Sequence, residues 1–298
     1  MTLTLILAAI VFLTLTCVIV MGLKLRSAKK VAISTIDATK LIFSGIVAFI
    51  SDTLGVGSFA VNVALARLLN TFPDEQMPAV NNGAQVIPGM LEAFCFLKWV
   101  QVDLTTLLTL VAGTCIGGLL GGGIVSRLHK QAIRLAMVIC FSGIIVLLLC
   151  HQFRLLPVGG DIAELHGVKL TLGFFAMIIC GALTCVGIGL FALVQAVLFL
   201  LNVSPEVAFP IMMTAGALQQ PLTTLVFLKY DKIPLKKTLI LSLAGCIGVI
   251  ITLPVVTHLT VTWLHHLLLC ILTYNVLSIG HAYWRDKPHR RLALGSMT

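Results

Sequence analysis

Two stretches of this sequence resemble each other, and their shared glycines lie 132 residues apart. The first, Ser51–Asn62, reads SDTLGVGSFAVN, and the second, Thr184–Gln195, reads TCVGIGLFALVQ. Further pairs follow at the same spacing: Asn70 and Asn202, Pro73 and Pro205, Asp74 and Glu206, and Pro78 and Pro210. A series of matches along two half-chains indicates an internal repeat, which constrains the fold more than any single residue does.

The composition indicates a membrane protein. Of the 298 residues, 59% are hydrophobic and only 10% are charged, and the mean hydropathy is +1.08. A soluble domain needs more charge on its surface, so we predict an integral membrane protein in a lipid bilayer. The net charge of +9 does not indicate a nucleic-acid partner, because the basic residues stand in short runs between apolar segments, as cytoplasmic loop anchors do.

The sequence contains no motif typical of a metal site or an enzyme. Its nine cysteines form no CxxC pair, show no His/Cys ligand spacing and lie almost entirely within apolar runs. We therefore expect no metal, no cofactor and no disulfide. There is also no GxSxG, no HExxH and no pair of intramembrane aspartates, so we do not expect an enzyme.

Two apolar segments are too long for one simple helix each and carry glycines in their middle. They are residues 41–69 and 171–201. Each is either one long broken span or a hairpin that enters and leaves the membrane on the same side. Hairpins place every strongly basic loop on one face, whereas single spans would place the basic loop 127–134 outside. We therefore predict two membrane hairpins.

The other apolar segments predict seven full spans, at residues 1–22, 79–97, 104–126, 131–150, 207–228, 238–257 and 261–283. Each half then has a hairpin and three spans, an odd number of crossings, so the halves must face opposite ways. The predicted fold is an all-α polytopic membrane protein with two inverted-topology repeats and one extra N-terminal span. We expect it in the cell membrane, with the N-terminus outside and the C-terminus in the cytoplasm.

These predictions divide the chain into five parts. Residues 1–40 form a transmembrane helix and a cytoplasmic link, and residues 41–150 form the first repeat. Residues 151–169 are an external connecting loop, residues 170–284 form the second repeat, and residues 285–298 are a basic cytoplasmic tail.

The hairpin tips are the predicted binding site for a small anion. Backbone that leaves a helix at membrane depth is tolerated only beside protein or a water-filled cavity. The limb that follows each turn directs the positive end of its dipole at the tip, which favours an anion. The tip residues assigned to substrate binding are Asp52, Gly55, Gly57, Ser58, Asn62, Cys185, Gly187 and Gly189. Cys185 is either a reactive thiol or, as we favour, a packing residue.

Asp52 is the one acid predicted at a tip. A carboxylate inside a membrane costs roughly 2.5–3.5 kcal/mol on insertion scales, which marks it as a functional residue. Two roles are open: protonation during the cycle, which would couple transport to protons, and a structural role in which the acid binds the turn amides.

The span after each hairpin carries polar residues. Asn81, Gln85 and Glu92 share one helix face with Asn82 beside them, and the second half has a matching set, Thr214, Gln219, Gln220, Thr223 and Thr224. These side chains either join helices to each other or bind substrate. The neighbouring prolines favour substrate binding by Asn81, Asn82 and Gln219. Glu92 is favoured less, because we expect it toward the outer surface.

The glycine-rich run 113–123 is not a phosphate loop, because no Gly-Lys-Ser/Thr follows it. Gly113, Gly117 and Gly121 recur every four residues. This spacing predicts a small-residue face for close helix packing.

These residues resemble the sulfite exporter TauE/SafE permease family. The resemblance covers about residues 41–284 and rests on the two glycine motifs, the link 73–78 with the Asn81-Asn82-Gly83 motif, and Val102-Asp103. It implies two half-repeats, each opening with a broken helix, and movement of small sulfur-containing anions such as sulfite, thiosulfate or organosulfonates. The family's usual run of three glycines is reduced here to GVGS and GIGL, and the first span lies outside its core.

The predicted function is a secondary transporter that moves a small anion by alternating access, with protons as the candidate coupling ion. The alternatives are an anion channel and a membrane assembly or accessory protein without solute transport. Against a channel, the sequence has no TVGYG-like filter and no ring-forming charged motif.

Overall fold

The structure is a computed structural model that describes residues 2–27, 32–97, 102–153, 155, 159–254 and 261–295. Over these residues it has eleven α-helices, one short 3-10 helix (Asp74–Gln76) and no strand. The helices are α1 Thr2–Ser27, α2 Thr35–Thr53, α3 Ser58–Leu69, α4 Met77–Phe96, α5 Leu104–Val125, α6 Lys130–Gln152, α7 Gly167–Thr184, α8 Leu190–Leu200, α9 Pro205–Lys229, α10 Leu235–Thr252 and α11 Val261–Gly295.

Seven of these helices are long and apolar enough to cross a membrane: α1, α5, α6, α7, α9, α10 and α11. The chain is therefore a helical, multi-pass membrane protein, as its composition predicts. Six of the seven coincide with predicted spans. The predicted span 79–97 is a helix, α4, but it is not among the seven, because the polar residues of its inner face lower its hydropathy.

The two segments predicted to be hairpins are both broken helices. The first consists of α2 and α3, separated by residues 54–57, and the second of α7 and α8, separated by residues 185–189. The first limbs have 19 and 18 residues and the second limbs 12 and 11. At about 1.5 Å per residue, the first limbs are about 27–29 Å long and the second limbs only about 16–18 Å. Each first limb is thus nearly as long as the hydrocarbon layer is thick. Of the two first limbs, α7 is also apolar enough to cross a membrane by itself.

The first limb of each broken helix packs along a helix from the other half of the chain. α7 lies against α5, and α2 lies against α10. On α5, a methyl group at Gly117 would collide with the Ile178 carbonyl, and one at Gly121 would lie 2.6 Å from the Ala182 Cα. The predicted small-residue face of α5 is therefore confirmed. α2 approaches α10 as closely, since a methyl group at Gly45 would lie 2.5 Å from the Leu241 carbonyl oxygen.

One end of the bundle is held by buried ion pairs. Asp74 accepts hydrogen bonds from Arg67 at the end of α3 and from Arg134 in α6, the latter at 2.6 Å. Arg134 also binds Asp286 in α11 at 2.6 Å. The side chains of Arg134 and Asp74 are only 6% and 9% exposed. α11 itself continues without interruption through the predicted basic tail as far as Gly295.

The contact between α5 and α7 generates a prediction on stability. Gly117→Ala should destabilise the protein by about 1–3 kcal/mol, because the added methyl group overpacks the contact with α7. Gly123→Ala is the matched control on the same helix, where a methyl group meets nothing within 4 Å. Its higher helix propensity should leave stability unchanged or raise it by up to about 1 kcal/mol. Thermal unfolding in detergent measures both, and equal unfolding temperatures for the two variants would contradict the close contact.

Candidate functional site

Both broken helices turn at a glycine with a positive φ. Gly55 has φ = 87° and Gly187 has φ = 103°, a conformation that L side chains rarely adopt. The Gly55 amide donates to the Asp52 carbonyl at 2.8 Å, and the Gly187 amide donates to the Thr184 carbonyl at 3.0 Å. Local hydrogen bonds thus satisfy the amides of both glycines, which lie 132 residues apart in the sequence.

Asp52 joins the two limbs of the first broken helix. It lies in the last turn of α2 and is 3% exposed. Its Oδ1 accepts a hydrogen bond of 2.7 Å from the Ser58 amide, which begins α3, and its Oδ2 accepts one from the Gln85 Nε2. Asp52 therefore occupies the positive end of the α3 dipole, which is the structural role that the sequence left open.

Asn81 in α4 contacts both broken helices. Its Oδ1 accepts a hydrogen bond of 2.5 Å from the Asn62 Nδ2 in α3. Its Nδ2 donates to the Phe59 carbonyl at 3.3 Å and to the Gly187 carbonyl, in the second turn, at 3.5 Å. One buried side chain therefore links α3 of the first broken helix to the turn of the second.

Asn82 strengthens the link to the second broken helix. Its Nδ2 donates to the Pro78 carbonyl of its own helix at 2.9 Å and to the Thr184 carbonyl at 3.5 Å. Thr184 is the last residue of α7. The Asn81-Asn82 pair thus satisfies carbonyl groups that the second turn removes from the helix.

Glu92, which the sequence favours less as a substrate-binding residue, belongs to the same polar network. It is 1% exposed, and its Oε1 accepts a hydrogen bond of 2.9 Å from the Thr53 hydroxyl. Gln85 connects it to Asp52, because the Gln85 Nε2 also donates to the Glu92 Oε2 at 3.4 Å. The Ser58 hydroxyl donates to the Gln85 Oε1 at 2.6 Å. The spacing of Gln85 and Glu92 on one helix face was the signal, whereas nothing in the sequence indicated Thr53.

The second half has no acid at the corresponding positions. The Cys185 thiol is fully buried and donates to the carbonyl groups of Gly118, at 3.2 Å, and Gly181, at 3.3 Å. These contacts agree with the packing role favoured for Cys185. The Gln219 Nε2 donates to the Thr223 hydroxyl at 2.6 Å.

The remaining two predicted residues of α9 differ in their surroundings. The Thr214 hydroxyl donates to the Pro210 carbonyl of its own helix at 2.8 Å, so Thr214 serves its helix rather than the network. Gln220 lies next to the first-half network, because a methyl group at Gly89 would meet both the Gln220 Oε1, at 3.3 Å, and the Gln85 Cγ, at 3.4 Å. Of the two, only Gln220 approaches the residues around Asp52.

A cavity of about 80 Å³ lies between the two turns and is closed by α6 and α11. Both turns contribute glycines to it, Gly55 and Gly57 from the first and Gly189 from the second. Gln195 in α8 is a polar residue of its otherwise mainly apolar wall. The volume admits a few water molecules or a small anion. The cavity therefore meets both broken helices at their turns. Of the predicted site residues, Gly55, Gly57 and Gly189 line it, whereas the polar residues around Asp52 and Asn81 do not.

No protein-family model, curated protein or solved structure matches this chain. The resemblance to the TauE/SafE family therefore stays a prediction. The site residues are assigned by their geometry and chemistry.

The link between Asn62 and Asn81 generates a prediction on energetic coupling. Asn62→Ala, Asn81→Ala and the double variant should be non-additive by about 0.5–3 kcal/mol, because the two amides are hydrogen-bonded and buried. Asn62→Ala combined with Thr106→Ala is the control, since Thr106 binds Asp103 and Leu165 and shares no partner with Asn62. Unfolding in detergent measures each free energy. Additivity of Asn62 and Asn81 within about 0.3–0.5 kcal/mol would show that they do not interact.

Proposed function

We propose that this chain is a secondary transporter of a small anion, with its site between the tips of the two broken helices. The observation that carries the proposal is that both turns line one cavity, while Asn81 joins α3 of the first broken helix to the turn of the second. Broken helices that meet inside a membrane protein supply unwound backbone and helix ends to a ligand. A carrier needs such elements because each can shift without unfolding a full span.

An inverted-topology repeat is part of this proposal, and the packing supports it. In the proposed repeat, α2 corresponds to α7, α4 to α9 and α5 to α10. The contact of α5 with α7 then corresponds to the contact of α10 with α2, and both contacts are present. The contact of α5 with α9 likewise corresponds to that of α10 with α4, which also pack together. Asn70 and Asn202, 132 residues apart, both end a short limb with a positive φ, of 54° and 63°. Repeats of this kind allow a carrier to expose one site to each side in turn.

The proposed anion position is the N-terminus of α8 rather than that of α3. Asp52 already occupies the α3 N-terminus and would repel a second anion. α8 begins after Gly189 without a side-chain cap, so its first amides are available to an anion. Gly189 also lines the cavity, together with Gln195. The substrate would therefore bind nearest the second turn, with the first turn closing over it.

The proposed substrates are small sulfur-containing anions, and this choice rests on the resemblance to the TauE/SafE family. The proposed location is the cell membrane, with the N-terminus outside and the basic loops and C-terminus in the cytoplasm. Sulfite, thiosulfate, sulfoacetate and taurine are the first compounds to compare.

A ligand panel with one variant tests the proposal. Purified protein is heated with each compound, and with sulfate and chloride, at equal ionic strength. A ligand at about one hundred times its Kd should add roughly 2.7 kcal/mol of stability. Gly189→Leu should remove this shift and lower uptake into proteoliposomes about ten-fold or more, because the leucine fills the cavity. The backbone at Gly189 has φ = −59°, which any residue can adopt, and a Cβ added there would meet nothing within 4 Å.

Gly143→Leu is the matched control, because Gly143 is an exposed position of α6 with equal room for a side chain. It should leave both binding and uptake unchanged. Saturable uptake with counterflow identifies a carrier, whereas uptake without counterflow identifies a channel. Normal uptake by Gly189→Leu would refute the proposed site, and absence of any solute-dependent effect would favour an accessory protein.

Protons are the proposed coupling ion, and the carboxyl groups of Asp52 and Glu92 are the proposed proton-binding pair. Gln85 connects the two buried carboxyl groups, and no Lys, Arg or His among the described residues forms an ion pair with either. Two negative charges held together in a buried site are costly, so one shared proton is the favoured state. The titratable group near Glu92 from the packed helix α10 is the Cys246 thiol.

Neutral substitutions test the coupling. Asp52→Asn and Glu92→Gln should each abolish uptake driven by a proton gradient, because the pair can no longer bind and release a proton, while substrate exchange stays measurable. Glu164→Gln, which changes an exposed acid of the loop before α7, is the control and should behave like the wild type. Normal proton-driven uptake in both variants would contradict this role, and uptake driven by sodium in the wild type would assign the coupling to another cation.

A further inference from the structure

A second cavity lies apart from the two turns, at the end of the bundle where Asp74 forms its ion pairs. Its volume is about 280 Å³. The end of α3 contributes Arg67, the start of α6 contributes Lys130 and Arg134, and α11 contributes Tyr274 and Arg285. Three helices therefore direct four cationic residues to one polar space.

The acids around this cavity neutralise the cations only in part. Asp74 is shared between Arg67 and Arg134. Asp286 is shared in the same way, at 2.6 Å from the Arg134 Nη1 and 3.6 Å from the Arg285 Nε, and Glu75 lies 4.0 Å from the Lys130 Nζ. Three acids therefore face four cations. The side chains of Lys130 and Arg285 are 46% and 69% exposed, so both keep their freedom to bind a ligand. The excess of positive charge favours an anion.

Two polar atoms at this cavity are buried and have no hydrogen-bond partner among the described residues. They are the Arg67 Nε and the Ser278 hydroxyl oxygen. The other nitrogens of the Arg67 guanidinium are engaged, since Nη1 binds Asp74 and Nη2 donates to the Ser278 carbonyl at 2.7 Å. Buried donors are almost always paired in folded proteins, so these two indicate a missing acceptor. An oxoanion presents several acceptor oxygens to a set of donors of this kind.

The start of α6 adds to the same field. Lys130 is the first residue of this helix of 23 residues, and both Lys130 and Arg134 line the cavity. The positive end of the α6 dipole therefore lies beside the cavity, together with the four cationic side chains. An anion placed there would interact favourably with both.

We propose that this cavity binds a phosphate-type oxoanion, either free in solution or as the headgroup of an anionic phospholipid. Arg67 belongs to α3, the short limb of the first broken helix. A ligand held by Arg67, Lys130 and Arg285 would therefore fasten that limb to α6 and α11. The inference does not depend on the transporter proposal, because it concerns binding at a different cavity.

Two probes distinguish the sources of the anion. Inorganic phosphate is titrated into protein in a neutral detergent at constant ionic strength. In parallel, the protein is placed in nanodiscs of phosphatidylcholine, with or without phosphatidylglycerol. Thermal unfolding is the measurement in both arms. Stabilisation by phosphate identifies a free oxoanion as ligand, and stabilisation by phosphatidylglycerol identifies a lipid headgroup.

The variants establish the position of the site. Lys130→Ala combined with Arg285→Ala removes the two exposed cations while keeping the ion pairs of Asp74, and it should weaken the response at least about ten-fold. Arg127→Ala combined with Lys232→Ala removes the same charge elsewhere and should retain the response, since neither residue lines the cavity. An equal response in the two double variants, or no response of the wild type to either probe, would overturn the proposal.

Discussion

A backbone group that leaves a helix inside a membrane must find its partner within the protein, and this constraint explains the polar residues of the chain. The first turn is satisfied by Asp52, which accepts the Ser58 amide. The second turn lies against Asn81, which donates to the Gly187 carbonyl. The side-chain amides of α4, on Asn81, Asn82 and Gln85, therefore lie where the other helices are broken. They are buried because the groups that they bind are buried. In the proposed transporter, substrate binding is a second use of groups that the fold already requires.

Much of the fold follows from local sequence patterns. Glycines within two long apolar segments predicted the breaks, and the spacing of Gly117 and Gly121 predicted the close packing of α5. The partners of buried polar groups were not predictable in this way. Glu92 accepts a hydrogen bond from Thr53 because α2 and α4 both pack on α10, which brings the end of α2 to Glu92. The spacing of residues along one helix does not show which residue of another helix will lie next to it. The length of α7 also lay outside the prediction, since hydropathy alone does not fix where a limb begins.

The two halves share a framework but differ in charge at the turns. The first half has Asp52 and Glu92 in one buried network, whereas the second has the neutral Cys185 and Thr224 near the corresponding positions. In the proposed repeat, corresponding positions of the two halves therefore carry different chemistry. In the proposed transporter, the first half binds the coupling ion and the second half binds the substrate, so that each half has one task.

The packing of α2 on α10 has a consequence for how the protein is made. α2 belongs to the first quarter of the chain, and its face around Gly45 fits against a helix that ends at Thr252. During synthesis, α2 therefore enters the membrane long before its partner exists, and its face is exposed to lipid or to the insertion machinery in the meantime. α7, by contrast, is synthesised after its partner α5, so the two broken helices differ in whether the packing partner of the first limb is already present when that limb is made.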